Sequence, residues 1–403
     1  MNLDIAWLTS PLGQNLIAQA RSVTATPTDI ERLRRAHPDV DVTLIGSAIH
    51  QAWLAQRAES RWKTTTDFLL TTDGLAQASR PAVAHFHADW ITQHIKPGAH
   101  VTDLTCGLGF DALAFARAGH TVTAIERDPE IADLARYNLR NHDVRVIAAD
   151  ALTYEISPDT DVIFIDPARR DVAAAKTSTG NTIRSFDPQS WSPPWSFVQT
   201  LAQSHRVLAK LAPGIDDVTI SDWDASFISN DGDLLEAMLS SHGTSQRAAV
   251  LLSSGDTRIV SGNDVASSQA IGDFLVVPDP ALTRARALGW LCEQVVGGLV
   301  NEHIGWITTS NAQKIAEMPQ EQIKLGAFFR IIESVGFSPK TIKRNVAGHT
   351  PGSVTIMTRG VKLDVEALRK QLSSTFTRGG PELVIAIYRD DNGTRALLCR
   401  RLP

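Results

Sequence analysis

Four acidic residues placed after apolar runs, Asp103, Glu126, Asp150 and Asp166, and the glycine pair Gly107 and Gly109 are the residues of this chain best suited to chemistry. The glycines let the backbone turn sharply and approach a ligand closely, and a helix starting behind them presents its positive end to an anionic group. Glu126 follows about 20 residues later, where a carboxylate can accept both hydroxyls of a ribose. Asp103 is suited to receive an ammonium group and would repel a pyrophosphate. Asp150 is suited to accept a hydrogen bond from an adenine amine. Alone, Gly107-Leu-Gly109-Phe-Asp-Ala112 also fits the dinucleotide fingerprint Gly-x-Gly-x-x-Gly/Ala. A ligand with ribose, adenine, an ammonium and a sulfonium, S-adenosylmethionine, suits the carboxylates better. The plain alternative is that Asp103 and Asp150 only cap strand ends.

Such residues need a scaffold that gathers strand ends. Short β-rich runs at 101–104, 122–125, 144–147 and 162–165 surround helical stretches at 111–118 and 129–141. Near-continuous apolar strands alternating with amphipathic helices predict a parallel sheet covered on both faces. In a doubly wound sheet, ligands bind beyond the carboxyl ends of the strands, at the first crossover. Residues 207–211, 248–252 and 274–277 are expected to complete the sheet, giving a Rossmann-like α/β domain over 80–278.

With 403 residues, two or three domains are expected. Residues 1–79 carry apolar positions at helical spacing, broken by Pro11, Pro27 and Pro38, and form an N-terminal helical domain. The polar stretch 61–68 is expected to be a linker or surface turn. Ser79, two residues before Pro81, is expected to cap a helix running to 94. His85, His87 and Asp89 on that helix do not suggest a metal site, because i and i+2 point about 200° apart. A long helix is expected over 281–300 within a connecting segment, 279–319. An α+β module closes the chain over 320–403. It carries 14 Lys and Arg against 7 Asp and Glu, net +7, whereas residues 1–319 carry 25 against 37, net −12. A basic module on an acidic body fits a polyanionic partner. The three cysteines lack zinc spacing. The first residues lack a basic leader and no window is apolar enough for a membrane span, so a cytoplasmic location and no membrane association are expected.

Asp103-Leu-Thr-Cys106-Gly107-Leu-Gly109, Ala124-Ile-Glu126-Arg127-Asp128-Pro129, Ala149-Asp150-Ala151 and Asp166-Pro167-Ala168-Arg169 resemble, in order and spacing, motifs I to IV of class I methyltransferases. The resemblance covers about residues 80–403 and points to the bacterial methyltransferases with a C-terminal THUMP-like domain. Ser192-Pro-Pro-Trp195, Lys210-Leu-Ala-Pro213-Gly214 and the tail Ala396-Leu-Leu-Cys-Arg-Arg401 add to it. Ser79-Arg-Pro81 is similar to a segment of trimethylguanosine synthases, and the glycine turn with Glu126-Arg127-Asp128-Pro129 is similar to a 16S rRNA guanine-N2 methyltransferase. Both relatives act on exocyclic amines of guanine in RNA.

The resemblance implies S-adenosylmethionine as cofactor, held by Asp103, Cys106, Gly107, Gly109, Glu126, Arg127, Asp150, Ala151 and Asp166. Asp166 and Pro167 match the turn that, in amino methyltransferases, accepts hydrogen bonds from the target amine and aims its lone pair at the methyl group, catalysis by orientation. Ala168 and Arg169 stand where that turn has a second proline and an aromatic ring. The base then needs another partner: Arg169 or Arg170 through a guanidinium plane or a phosphate contact, or a ring from Phe186, Trp191 or Trp195. Simple packing is the ordinary role of each such ring. Lys210 is placed on the substrate side, and 176–194 is expected to be a gating loop. Carbon methylation needs a nucleophilic cysteine, and neither Cys292 nor Cys399 lies in a suitable turn; Cys106 is expected to be an inert filler of the cofactor pocket. True THUMP domains bind RNA, which makes Lys340, Lys343, Arg344, Arg359, Lys362 and Arg378 the expected phosphate contacts. The expected activity is methylation of an exocyclic or ring nitrogen of a base in rRNA or tRNA, without a metal. The rivals are a non-catalytic RNA adaptor that keeps the cofactor as a structural ligand, and a nicotinamide-dependent oxidoreductase.

Overall fold

The structure is a computed structural model and describes residues 4–22, 27–59, 62, 67–168, 188–253, 255–318 and 323–402. Two compact units divide the chain: Met1–Leu211 with Leu239–His242, and Ala212–Met238 with Gly243–Pro403.

The first unit begins with helices α1 (Ile5–Leu8), α2 (Pro11–Arg21), α3 (Pro27–Ala36) and α4 (Val42–Glu59). Pro11 and Pro27 start helices rather than merely break them, since a first-turn position needs no backbone N–H and suits proline's fixed φ. Two short-range helices follow, α5 (Thr72–Gln77) and α6 (Pro81–His94). Then come β1 (His100–Asp103), α7 (Phe110–Arg117), β2 (Thr121–Glu126), α8 (Pro129–Leu139), β3 (Val144–Ala148), β4 (Val162–Ile165), α9 (Trp195–Leu201) and β5 (Val207–Leu211). The five strands are parallel in the order β3-β2-β1-β4-β5, so the direction of winding reverses between β1 and β4. That is the doubly wound, Rossmann-like arrangement, and β4 is buried at every position as a covered parallel strand must be.

The stretch expected to be a linker is instead anchored at both described ends. Trp62 is 3% exposed, donates from Nε1 to the Ser79 carbonyl at 2.7 Å and packs its ring 5.4 Å from Phe110. Phe68 is buried against the same ring. Hydrophobic anchoring of two aromatic residues outweighs the polarity of their neighbours.

In the second unit, β6 (Asp224–Asn230) pairs in parallel with β8 (Arg247–Ser253), and β9 (Asp256–Ser261) returns antiparallel to β8. A further strand, β7 (Asp233–Ser240), lies between β6 and β8 in the chain. Three of these strands escape a reading of the sequence. The residues of β7, Asp-Leu-Leu-Glu-Ala-Met-Leu-Ser, favour helix intrinsically, and pairing overrides that weak preference; β6 and β9 are interrupted by polar residues.

A seven-stranded sheet makes up the rest, in the order β11 (Gly298–Asn301), β12 (Ile304–Thr309), β10 (Phe274–Pro278), β13 (Gly326–Gly336), β16 (Gly393–Arg401), β15 (Glu382–Asp390) and β14 (Ser353–Arg359). Neighbours are antiparallel except β14 and β15. Residues 274–278 thus belong here, between β12 and β13, and not to the parallel sheet. The expected helix over 281–300 is split into α10 (Pro280–Arg284), α11 (Leu288–Val295) and β11. Arg286 and Val296 take left-handed φ of 58° and 50°, and the Asp264 carboxylate accepts from Gly289 N at 3.0 Å and Trp290 N at 2.6 Å, which starts a new helix there. The remaining helices are α12 (Ala312–Glu317), α13 (Pro339–Gly348) and α14 (Val365–Leu372). Ile342, Val346, Leu368 and Leu372 of α13 and α14 close one core with Ile385, Ile387 and Leu398, while Phe329, Val384, Tyr388 and Leu397 help form another with Trp306. Alternate side chains of the same strands therefore enter different cores. Among the described residues, no helix is long and apolar enough to cross a membrane.

Candidate active site

A cavity of about 650 Å³ opens in the first unit where the parallel strands end. Between β1 and α7 the chain turns through Gly107 and Gly109 with φ of 53° and 89°, both in the region that favours glycine. A Cβ on Gly109 would also stand 2.7 Å from Leu139 Cδ1, so this residue sets how closely α8 approaches the turn. Glu126, at the end of β2, accepts from Gly107 N at 3.1 Å and from Asp128 N at 2.8 Å. Its carboxylate is held by two backbone donors while its other lone pairs remain for a ligand. Asp150, after β3, accepts from Leu152 N at 3.0 Å through Oδ1. Ile131 and the half-exposed Leu152 bring apolar surface to the same wall, with Cys106, Arg127 and Ala151.

Asp103 is placed differently from the other carboxylates. It is 1% exposed, accepts from Thr105 N at 3.0 Å and does not line the cavity. Burial, with the like charges of Asp111, Asp166 and Glu126, pushes its carboxyl well above the usual range despite the Thr105 N–H. Asp111 of α7, which the sequence offers only as a letter of the glycine motif, does line the cavity. Ser79 donates to its Oδ2 at 2.7 Å and His87 Nδ1 lies 3.0 Å from its Oδ1. Burial alone would raise the Asp111 carboxyl, but the His87 hydrogen bond, Lys210 and Ser79 outweigh it and hold it below the usual carboxylate range. Ser79 therefore serves Asp111 and not the start of α6, whose N-cap is Arg80. His87 turns inward, fully buried, and His85 turns outward toward Asp89, as their two-residue spacing requires.

The cavity has a further wall that sequence reasoning missed. Thr71 to Ser79, including α5, lines it with Asp73 and Gln77. Asn138 ties the preceding segment to the glycine turn, bonding Leu69 N at 2.8 Å, Leu69 O at 3.1 Å and Leu108 O at 3.1 Å. Gly74 makes the close approach possible, since a Cβ there would meet Leu108 Cδ1 at 2.5 Å. The available signal was Thr71-x-x-Gly74, a hydroxyl capping the Gly74 N at 3.0 Å.

Two family models match the chain: THUMP domain-like over residues 326–401, and protein-L-isoaspartate (D-aspartate) O-methyltransferase over residues 55–175. Two Mycobacterium tuberculosis proteins, from strains CDC 1551 and H37Rv, are each described as an uncharacterized S-adenosylmethionine-dependent methyltransferase. Each is 26% identical over 354 residues, covering 83% of this chain and 89% of its own. The crystal structure of a Porphyromonas gingivalis W83 protein assigned as a methyltransferase matches over 100% of both chains, with a TM-score of 0.73 and 18% identity, and so shares the fold. The chain is a class I methyltransferase homologue with a THUMP-like C-terminal domain.

The side expected to meet the acceptor lies at the end of β4. Asp166 lines the cavity, its N–H donates to Thr105 Oγ1 at 2.7 Å, and Lys210 Nζ donates to its Oδ2 at 2.5 Å. Ala168 pairs with Ser192 through two backbone hydrogen bonds, of 2.9 and 3.0 Å, and Arg127 Nη1 reaches Ser192 Oγ at 3.2 Å. Lys210 is therefore engaged with Asp166. Trp195 is not brought to the cavity: it is 2% exposed and packs edge-on against the buried Trp191, with centroids 6.4 Å apart. Arg169, Arg170, Phe186 and most of the expected gating loop lie outside the described residues. Burial, with Asp103 and Glu126 nearby, pushes the Cys106 thiol well up; burial raises Cys292 to about 11 and Cys399 to about 12. Burial therefore disfavours the thiolate at all three.

Proposed function

We propose that the cavity binds S-adenosylmethionine and that the protein transfers a methyl group to a nitrogen of a base in structured RNA, rRNA or tRNA. One observation carries the reading: among the described residues the cavity wall bears six carboxylates, Asp73, Asp111, Glu126, Asp128, Asp150 and Asp166, against the cations Arg127 and Lys210. Such a wall suits a cationic adenosyl compound and opposes a dinucleotide pyrophosphate. The bound cofactor supplies an electrophilic methyl group on a sulfonium.

Gly107 and Gly109 shape the turn, Glu126 takes the ribose hydroxyls, and Asp150 with Ala151 takes the adenine edge between Ile131 and Leu152. Asp111 receives the ammonium, with Asp103 buried behind it. At the other end Asp166 and the Pro167 carbonyl accept the hydrogens of an amine, aiming its lone pair without a strong base. An O-methyl acceptor is less suited, because a substrate carboxylate would face Asp166; the isoaspartate family model covers residues 55–175 and leaves the rest of the chain unmatched. The THUMP domain-like match and the net charge of +7 over residues 320–403 support an RNA substrate.

Asp166→Ala is expected to lower methyl transfer to cellular RNA at least about 100-fold, the scale of lost orientation, while calorimetry shows S-adenosylmethionine still bound. Unchanged turnover would remove Asp166 from the mechanism. Transfer to an isoaspartyl peptide and none to RNA would replace the acceptor. Binding of cofactor with no transfer to any RNA by the parent protein would favour the adaptor reading.

A further inference from the structure

Resting on the RNA reading above, we propose that Arg330 and Arg400 form a clamp for one backbone phosphate of that RNA, built into the seven-stranded sheet. The register sets the pair. β13 and β16 are antiparallel with Arg330 directly opposite Arg400, and side chains so opposed on one face stand about 5 Å apart at Cβ. Their strand neighbours Phe329, Ile331 and Cys399 turn toward the core with Trp306, so the two arginines emerge on the other side, which α13 and α14 cover further along. Both arginines are exposed.

Like charges placed directly opposite weaken a sheet unless something offsets them. Arg330 has Phe274 of β10 on its other side, and the register of Val384 with Cys399 puts Leu383 beside Arg400. Among the described residues neither guanidinium has an ion pair or a side-chain hydrogen bond. The other arginines of β16 are engaged, Arg395 with Asp390 at 3.4 Å, and Arg401 with Glu382 at 4.0 Å and over the Phe329 ring. Acids on the clamp's side are engaged too: Glu333 with Asn345 and His349 of α13, Glu366 with Arg369, and Asp364 with the Ala367 N–H. Lys340, Lys343 and Arg344 of α13 add positive charge to that side. Two guanidinium forks thus face solvent at one level of the sheet. A phosphodiester offers one oxygen to each, which turns a repulsion into two charge-assisted hydrogen bonds.

Arg330→Gln, Arg400→Gln and the double variant, made in the full-length protein, test both halves of this idea. Without RNA, the double-mutant cycle in Tm at low salt is expected to show a repulsive coupling of about 1–3 °C that fades as salt is added. No coupling would mean that the two charges do not meet. Filter binding of total tRNA and of 16S rRNA then reads the clamp, since one lost phosphate contact lowers the slope of log affinity against log salt by about 0.7–0.9. Either single variant is expected to lose that amount and the double variant no more, because both arginines hold one phosphate. A double variant that loses twice as much would overturn the clamp in favour of two separate contacts. Unchanged slopes, or a parent protein that binds neither RNA, would overturn it outright. Methyl transfer is scored separately on the same RNAs: slopes that fall as expected in a protein showing no transfer sink the catalytic reading and leave the clamp, whereas transfer with unmoved slopes does the reverse.

Discussion

The two large sheets divide the work in opposite ways. In the parallel sheet, carboxylates collect at strand ends: β1, β2 and β4 stop at Asp103, Glu126 and just before Asp166, and the chain turns through Gly107 and Gly109 after β1. In the seven-stranded sheet the strand β15 is buried along most of its length between the cores around Ile385 and around Phe329, and the charges sit at strand ends, on the exposed positions of β13 and on helices and turns. A parallel sheet leaves all its strand ends of one kind on one side, so its loops can converge. An antiparallel sheet alternates them and offers its outer surface instead. On this comparison the first sheet makes a site and the second makes a shape that presents charge.

The largest expected effect tests whether the second sheet is structural only. Phe329 of β13 is fully buried between Leu275 and the strands β15 and β16. Phe329→Ala is expected to cost about 3–5 kcal/mol in denaturant unfolding, the range for a fully buried phenylalanine. S-adenosylmethionine affinity, measured where the variant remains folded, should stay within a factor of about two of the parent. A large fall in affinity would mean that the two sheets are energetically coupled and that the division fails.

A smaller effect separates two carboxylates within the site. Asp111→Ala removes the partner of both Ser79 and His87 and is expected to cost about 1–3 kcal/mol. The pH sign follows from its lowered carboxyl. That stability is present above the unfolded value near 3.9 and is lost as pH falls through the lower folded value, so the gap between parent and variant closes in acid. Asp103 has the opposite sign. Its folded carboxyl is raised, so its favourable contribution exists below the unfolded value and is lost as pH rises toward the folded one. Asp103→Asn should therefore melt higher than the parent at pH 7, with the difference vanishing near pH 3. Equal pH dependence of the two variants would show that these carboxylates share one environment.

That contrast also marks what the sequence makes legible. Glu126 and Asp150 can be read directly, because strand ends and glycine spacing are local patterns and a sheet places them without further help. Asp111 cannot, because what distinguishes it is Ser79, 32 residues away, and a buried histidine on another helix. The wall at Thr71–Ser79 is hidden for the same reason: Asn138, 69 residues from Leu69, holds it in place. Among the strands, β4 announces itself with four consecutive apolar residues, whereas β7 is written in helix-forming residues and becomes a strand only through pairing. Residues 274–278 look like any buried strand, and nothing local states that their partners are β12 and β13 rather than the parallel sheet.

The least disruptive prediction concerns the outer surface of the second sheet. The sequence of α13, Pro-Lys-Thr-Ile-Lys-Arg-Asn-Val-Ala-Gly, contains no acidic residue, and its Ile342 and Val346 are buried. Lys340, Lys343 and Arg344 consequently fall together on the opposite, exposed side, at i, i+3 and i+4. On α14, by contrast, Arg369 is paired with Glu366 at 3.0 Å. Changing the three α13 cations to Glu should leave the melting temperature within about 2 °C, because surface substitutions of this kind stay within about 0.5 kcal/mol. RNA affinity should fall, and the slope of log affinity against log salt should shrink by about 2–3, since each lost phosphate contact removes about 0.7–0.9. Because phosphate contacts carry little sequence information, the loss should be similar for all structured RNAs tested. A loss confined to one RNA would mean that α13 reads bases, and an unchanged salt slope would move the RNA surface to the cations at Arg359, Lys362 and Arg378.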